Sequence, residues 1–171
     1  IYRLRYEKND NLKITQAVAA YLADKENIQV IMTRSDDTFL SLEERTSFAN
    51  QNNADYFVSL HRNTGEGNGV ETWIRSDADD KTQTLAKNIM DNLDAAGISR
   101  NRGVKKGTQK SESKDYYVNL HTNMPACIVE LGFMNSPTDN QLFDANVENY
   151  AKAIGDAVLK TYEAYGKDGA D

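Results

Sequence analysis

The sequence predicts an α/β domain with a mostly parallel (mixed) sheet of about five to six strands, flanked by helices on both faces. Stretches with helical periodicity alternate with short apolar runs, which is the pattern of a sheet covered on both sides. The chain has 171 residues, of which 39% are hydrophobic and 27% are charged, and this is ordinary for one globular domain. We therefore predict a single domain over residues 1–165 and a frayed tail over residues 166–171.

Three signals organise the first part of the chain. Apolar residues spaced i, i+4, i+7 and i+8 predict a helix over residues 9–24. The short β-branched run Ile28–Thr33 predicts a buried strand. Ser41 and Glu44 form a capping-box pattern, which predicts that a helix begins there and ends near residue 52.

The rest of the chain alternates in the same way. Buried strands are predicted at Tyr56–Leu60 and Ala126–Glu130, and the alternation in Val70–Ile74 predicts a half-exposed strand. A helix over residues 85–96 is followed by Gly97, a common stop signal. The remaining predictions are a loop over 99–114, a short strand over 116–120, a short helix from 136 and a long helix over 147–162.

Composition excludes several classes of protein. The formal net charge is −6 and no basic block is longer than Lys105-Lys106, which argues against nucleic acid as the partner. A single cysteine excludes an internal disulfide framework and a CxxC metal site. No apolar run approaches the roughly 20 residues that a transmembrane helix needs. The first residues lack a signal-peptide core, so we expect any export signal to lie outside this sequence.

Two polar residues stand at the carboxyl ends of predicted strands, where ligands bind in such sheets. His61 follows an apolar strand and is either a metal ligand, a general base, or a histidine that only hydrogen-bonds a neighbour. Glu130 ends an apolar strand, so desolvation is expected to raise its pKa and suit it to acid–base catalysis. Its alternative role is a salt bridge or a cap on a loop amide.

Other polar residues give weaker signals. Glu7 precedes the first predicted helix and matters only if the fold places it near His61. His121 lies in a predicted loop and is most simply structural, while Cys127 is expected to be a buried, inert thiol. The stretch from Arg102 to Lys106 is expected to contact an anionic ligand or to be solvated.

Six strings, in order, resemble the zinc-dependent N-acetylmuramoyl-L-alanine amidases of the type-3 family, the cell-wall amidases of bacteria and their phages. Together they extend over most of the chain, which makes coincidence an unsatisfactory explanation. The six strings are Tyr6–Leu12, Thr33–Asn50, Ala54–Asn63, Gly69–Thr72, Asn101–Val104 and Met124–Asn135.

The resemblance implies a zinc ion bound by a histidine, a glutamate and a second histidine, with another glutamate for acid–base work. Glu7 matches the ligand glutamate, His61 the second ligand histidine and Glu130 the catalytic glutamate. Asn63 and Arg102 are expected to bind substrate. The family's "DPGHGG"-like turn, which carries the first histidine, has no counterpart here, so we expect the third ligand upstream of Ile1; His121 is a poor substitute.

The implied reaction is hydrolysis of the amide bond between N-acetylmuramic acid and L-alanine in peptidoglycan. The resemblance also implies a secreted or cell-wall location, and we expect a monomer that does not bind nucleic acid. One alternative is a catalytically incomplete amidase-fold domain that binds peptidoglycan or a partner protein without turnover. Another is a zinc peptidase that acts on the stem peptide.

Overall fold

A computed structural model describes residues 4–166, which form four strands and five helices around one mixed sheet. The strands are β1 (Phe57–Asn63), β2 (Val70–Ile74), β3 (Asn101–Lys106) and β4 (Ala126–Phe133). The helices are α1 (Glu7–Leu22), α2 (Leu42–Gln51), α3 (Asp80–Ala95), α4 (Tyr117–His121) and α5 (Pro137–Tyr165).

The sheet has the order β1-β4-β2-β3. β1 runs parallel to β4 and β2 runs parallel to β3, whereas β2 and β4 are antiparallel. The predicted α/β class with a mixed sheet is therefore confirmed, with four strands in place of five to six. None of the described helices combines the length and the apolarity that a membrane crossing requires.

Most of the apolar core lies on the sheet face covered by α3 and α5. Leu85, Ile89 and Leu93 are one stripe of α3, spaced by four residues, and all are fully buried. They pack with Val129 of β4 in the main hydrophobic cluster. The other face has a smaller cluster, in which Trp73 packs with residues of α4 and β4.

The predicted strand at Ile28–Thr33 is wrong. This segment forms no regular element and pairs with no strand among residues 4–166, and Val30 and Ile31 are 38% and 37% exposed. Its β-branched composition favours strand geometry, yet a strand is stabilised only where a neighbouring strand completes its ladder.

The loop predicted over 99–114 contains β3. Its sequence Asn101–Lys106 is polar because β3 is an exposed edge strand, where lysine is common. The short strand predicted over 116–120 is instead α4, in which the Thr122 hydroxyl donates to the Val118 carbonyl. Five residues are too few for periodicity to separate a strand from a helical turn.

Helix boundaries also differ from the prediction. α1 begins at Glu7, two residues earlier than predicted, after Tyr6 rather than after an Asn or Asp cap. The two predicted C-terminal helices are both present within α5, and the break predicted between them is confirmed by the non-helical backbone of Asn146 (φ −127°, ψ 21°), where α5 is kinked. The capping box of Ser41 and Glu44 is confirmed. Of the predicted tail over 166–171, only Gly166 lies within the described residues.

Candidate active site

A row of polar side chains crosses the sheet on the face opposite the main core. His61 of β1 pairs in register with Glu130 of β4, and Glu130 pairs in register with Glu71 of β2. Residues directly opposite each other point to the same face of a sheet, so the three side chains stand side by side. Arg102 of β3 extends the row, because its Nε donates to Glu71 Oε2 over 2.7 Å.

α1 places Glu7 beside this row. Glu7 is the first residue of the helix, and its Oε1 lies 2.9 Å from His61 Nδ1. Asn11, one turn later, donates to the same oxygen over 3.2 Å. Burial alone would raise the pKa of Glu7, but the hydrogen bonds from His61 and Asn11 outweigh it and lower the pKa below its usual value. Glu7 is therefore ionised at neutral pH.

A buried arginine fixes the start of α1 against β1. Arg62 follows His61, is buried, and donates to Asp10 of α1 over 2.7 Å and to Asn140 of α5 over 2.7 Å. Its guanidinium also lies 4.5 Å from the ring centroid of Phe143. Because Asp10 is one turn from Glu7, these contacts hold the Glu7 carboxylate beside His61.

Glu130 is in a different environment from Glu7. Burial raises its pKa to about 7, and the neighbouring carboxylates of Glu7 and Glu71 contribute to the rise, although His61 and Arg62 oppose it. Its Oε2 is buried without a hydrogen-bond partner among the described residues. A carboxyl group with these properties accepts and returns protons near neutral pH.

Glu71 is the centre of a buried network. It is 1% exposed and accepts hydrogen bonds from Asn63 Nδ2, Trp73 Nε1 and Arg102 Nε. The three donors replace the hydrogen bonds to water that the carboxyl group loses on burial. The Arg102 guanidinium also lies 5.1 Å from the Phe133 ring. Asn63 and Arg102 are thereby held in fixed positions on either side of Glu71.

The structure thus brings all five predicted site residues into one region: Glu7, His61, Asn63, Arg102 and Glu130. His121 is elsewhere, at the end of α4 before the amino end of β4, with its ring against Tyr117. Sequence reasoning missed the roles of Glu71 and Arg62. The alternating pattern of Val70–Ile74 predicted that Glu71 faces solvent, but all five residues of β2 are buried.

The donor set near His61 is suited to zinc but is small. An imidazole nitrogen and a carboxylate oxygen are ordinary zinc ligands, and Glu7 and His61 converge at hydrogen-bond distance. A catalytic zinc normally has three protein ligands. Within residues 4–166 no group of three or more His, Cys, Asp or Glu side chains is placed to hold a metal ion.

Comparison with known proteins identifies the family. The sequence pattern of the N-acetylmuramoyl-L-alanine amidase family matches residues 3–160. YqiI, an uncharacterized protein of Bacillus subtilis, is 34% identical over 163 residues, which cover 94% of this chain and 74% of that protein. The sporulation-specific N-acetylmuramoyl-L-alanine amidase of the same organism is 31% identical over 134 residues, 78% of this chain and 50% of the relative.

A solved structure agrees. The crystal structure of N-acetylmuramoyl-L-alanine amidase from Clostridium difficile 630 superposes with a TM-score of 0.87 at 32% identity, covering 95% of this chain and 87% of that one. The chain spans about half the length of several curated relatives that it matches, such as the sporulation-specific amidase. The chain belongs to the N-acetylmuramoyl-L-alanine amidase family, as its six motif strings predict.

Proposed function

We propose that this member of the amidase family hydrolyses the amide bond between N-acetylmuramic acid and L-alanine in peptidoglycan, with Glu130 as general base and acid. The observation that supports this most directly is the position of Glu130. Its buried carboxyl group, with a pKa of about 7, stands in register beside His61, which in turn contacts Glu7.

Glu7 and His61 are proposed as two ligands of a catalytic zinc ion. When bound, zinc would polarise the scissile carbonyl and lower the pKa of a water molecule. Glu130 would take the proton from the attacking water and return it to the departing amine nitrogen, which is a poor leaving group until it is protonated. Asn63 and Arg102 are proposed to bind the substrate at the other end of the row.

A cavity beside β1 supports the proposal that the third ligand comes from a segment upstream of Ile1. The cavity, of about 620 Å³, lies between the outer edge of β1 and residues 31–34, and it extends from Ala54 to Glu7 and His61. β1 pairs only with β4 among the described strands, so its outer backbone edge is open. An added strand in this space would pair with β1 and end beside both ligands.

The relatives also support a role at the cell wall. One is described as a probable cell wall amidase, LytH, of Staphylococcus epidermidis. We propose the same setting for this chain, with peptidoglycan as its substrate, secretion as its route and a monomer as the working form.

Metal content tests the ligand assignment. The 171-residue chain, equilibrated with zinc and dialysed, is expected to retain well under one zinc per chain, because Glu7 and His61 supply only two ligands. Elemental analysis measures this directly. One tightly held zinc per chain would contradict the need for a third ligand.

Turnover tests the role of Glu130. The product of the complete gene is incubated with purified peptidoglycan and zinc, and new amino-terminal L-alanine is measured. Glu130→Gln is expected to abolish release while zinc content stays unchanged, whereas Glu163→Gln, an exposed position on α5, is the control. A Glu130→Gln protein that still releases L-alanine would remove the assigned role.

The two-ligand donor set is also what a catalytically incomplete domain would show. Such a domain would bind peptidoglycan without cleaving it, so a sedimentation assay combined with the same release assay separates the two functions. Binding without release by the product of the complete gene would favour the incomplete domain. New amines elsewhere in the stem peptide would instead indicate a peptidase.

A further inference from the structure

Basic side chains are concentrated in one short segment. Residues 100–114 contain six of the 20 basic side chains of the chain but only one of its 26 acidic side chains, Glu112. Arg102 is paired with Glu71. The other five form no ion pair within residues 4–166, namely Arg100, Lys105, Lys106, Lys110 and Lys114.

Three of these five cations border a groove along β3. The groove, of about 790 Å³, is lined by Lys105, Lys106 and Lys110 together with hydroxyl and amide side chains and Trp73. The Lys105 ammonium lies 6.0 Å from the Trp73 ring centroid. β3 is the last strand of the described sheet, so backbone groups on its outer edge are available as well.

The loop that closes the groove has a fixed shape. Thr108 and Ser111 exchange backbone hydrogen bonds of 2.8 and 3.2 Å, and the Gln109 amide donates to the Tyr116 hydroxyl. Gly107 has φ +80°, and an added Cβ would come within 2.6 Å of the Ser111 carbonyl oxygen. These contacts therefore hold the backbone at Lys110 in a defined place.

Two neighbouring acidic residues do not neutralise this groove by direct pairing. Asp115 accepts hydrogen bonds from the Ser76 amide and hydroxyl, at 2.7 and 3.0 Å, and forms no ion pair with the lysines. Glu112 is exposed and lines the groove without an ion pair. The whole chain has a net charge of −6, so this basic segment is a region of local positive charge on a protein whose overall charge is negative.

The groove lies within reach of the polar row. Lys105 pairs with Trp73, two residues beyond Glu71, so it is about 7 Å along the strands and about 10 Å across two strands from Glu130. Four residues of extended peptide span about 13 Å. A peptide that begins at the reacting bond therefore reaches Lys105 within a few residues.

We propose that this groove, defined by Lys105, Lys106 and Lys110, binds the carboxylates of an acidic stem peptide whose first amide bond lies at Glu130. The proposal rests on the proposed function and adds a specificity to it: substrates with free carboxylates are preferred to those with carboxamides. The unpaired ammonium groups supply the charge, and Arg102 links the groove to the polar row.

Binding without turnover tests this specificity. The probe is a synthetic N-lactyl tetrapeptide that begins with L-alanine and carries two free carboxylates, and the comparison is the same peptide in carboxamide form. Calorimetric titration of the metal-free 171-residue chain is expected to give about tenfold tighter binding of the acid form, weakened by added salt. The titration measures binding and needs no turnover, so a failure of the proposed catalytic role of Glu130 leaves this result unaffected.

Paired charge reversals locate the binding. Lys105→Glu/Lys106→Glu is expected to lose about tenfold affinity for the acid form. Lys13→Glu/Lys160→Glu changes the net charge equally at exposed positions on α1 and α5, and it is expected to change affinity less than about twofold. The neutral variant Lys105→Gln/Lys106→Gln, which avoids new acidic side chains on β3, is expected to show an intermediate loss.

Three outcomes would overturn the proposal. The first is equal binding of the acid and carboxamide peptides, and the second is an equal loss in the two reversal variants. The third is displacement of the probe by a soluble poly(glycerol phosphate) that binds more tightly than the peptide and is sensitive to Lys105→Glu/Lys106→Glu. That result would assign the groove to a phosphate polymer instead.

Discussion

The middle of the sheet and its β1 edge differ in how completely they are packed. Where β2 and β4 meet α3 and α5, the apolar side chains are fully buried, as Leu85 and Ile154 show. Beside β1, the segment between α1 and α2 leaves large apolar groups exposed, and a cavity of about 620 Å³ separates it from the strand. His61 lies on the strand that borders both regions, so the candidate site stands at their boundary.

This difference indicates where stability and function are separated. Removing apolar surface from water stabilises the fold by about 25 cal/mol per Å², so the packed side should supply most of the free energy of folding. The open side contributes less and has room for another segment. A site at this boundary is supported on one side by the packed strand β4, and the cavity on its other side has room for a further segment of chain.

The largest expected difference in the free energy of unfolding is between alanine substitutions at two phenylalanines, one on each side. Phe143 of α5 is fully buried and lies under the Arg62 guanidinium, whereas Phe39 is 82% exposed. Phe143→Ala should lower the free energy of unfolding by about 3–5 kcal/mol, and Phe39→Ala by less than about 0.5 kcal/mol. Urea denaturation measures both, and equal losses would contradict the division into a packed and an open side.

The next contrast lies within the site itself. The pKa of Glu130 is about 7 against an ordinary 4.5, so its ionisation opposes folding. Below pH 4.5 the group is protonated in both the folded and unfolded states and costs nothing. As the pH rises to 7 the unfolded state ionises first, and the penalty grows to on the order of 3 kcal/mol, after which it is constant.

Glu130→Gln removes this titration. The variant should be more stable than the parent chain at pH 8, and the difference should shrink towards pH 4.5. Urea midpoints across this pH range measure it, with Glu163→Gln, on the exposed surface of α5, as the control. A difference that is independent of pH would show that Glu130 is not held in its neutral form.

Part of this site could be predicted from sequence because His61 and Glu130 are polar residues that each follow an apolar run. The prediction that they end their strands is wrong, since β1 continues to Asn63 and β4 to Phe133. The two residues still meet, because they pair in register on neighbouring parallel strands.

The position of Glu7 beside His61 is predicted only through the family resemblance. In the structure this position depends on the contact between Asp10 and Arg62. That contact joins residues 52 positions apart, so it leaves no signal in the local sequence.

The errors also have physical causes. Ile28–Thr33 has the composition of a strand but lacks a neighbour, whereas β3 has the composition of a loop but has β2 beside it. In both cases the ladder partner decides the outcome, and local propensity does not encode it. The alternating pattern of β2 predicts that Glu71 faces solvent, but Asn63 of β1 and Arg102 of β3 donate to its carboxylate from other strands, which leaves no signal in the local sequence.

The smallest expected effects on stability come from removing the side-chain caps of two helices, one on each side. Ser41 caps α2 on the open side, and Asp79 caps α3 on the packed side by accepting from the Thr82 amide. Replacing either residue with alanine should cost about 1 kcal/mol. Because α3 unfolds with the core, Asp79→Ala should lower the global free energy of unfolding. Ser41→Ala should mainly accelerate hydrogen exchange of the α2 amides, since weakly packed elements open separately from the rest of the fold. Slower exchange at α2 than at α3 would show that α2 is as firmly held as the core.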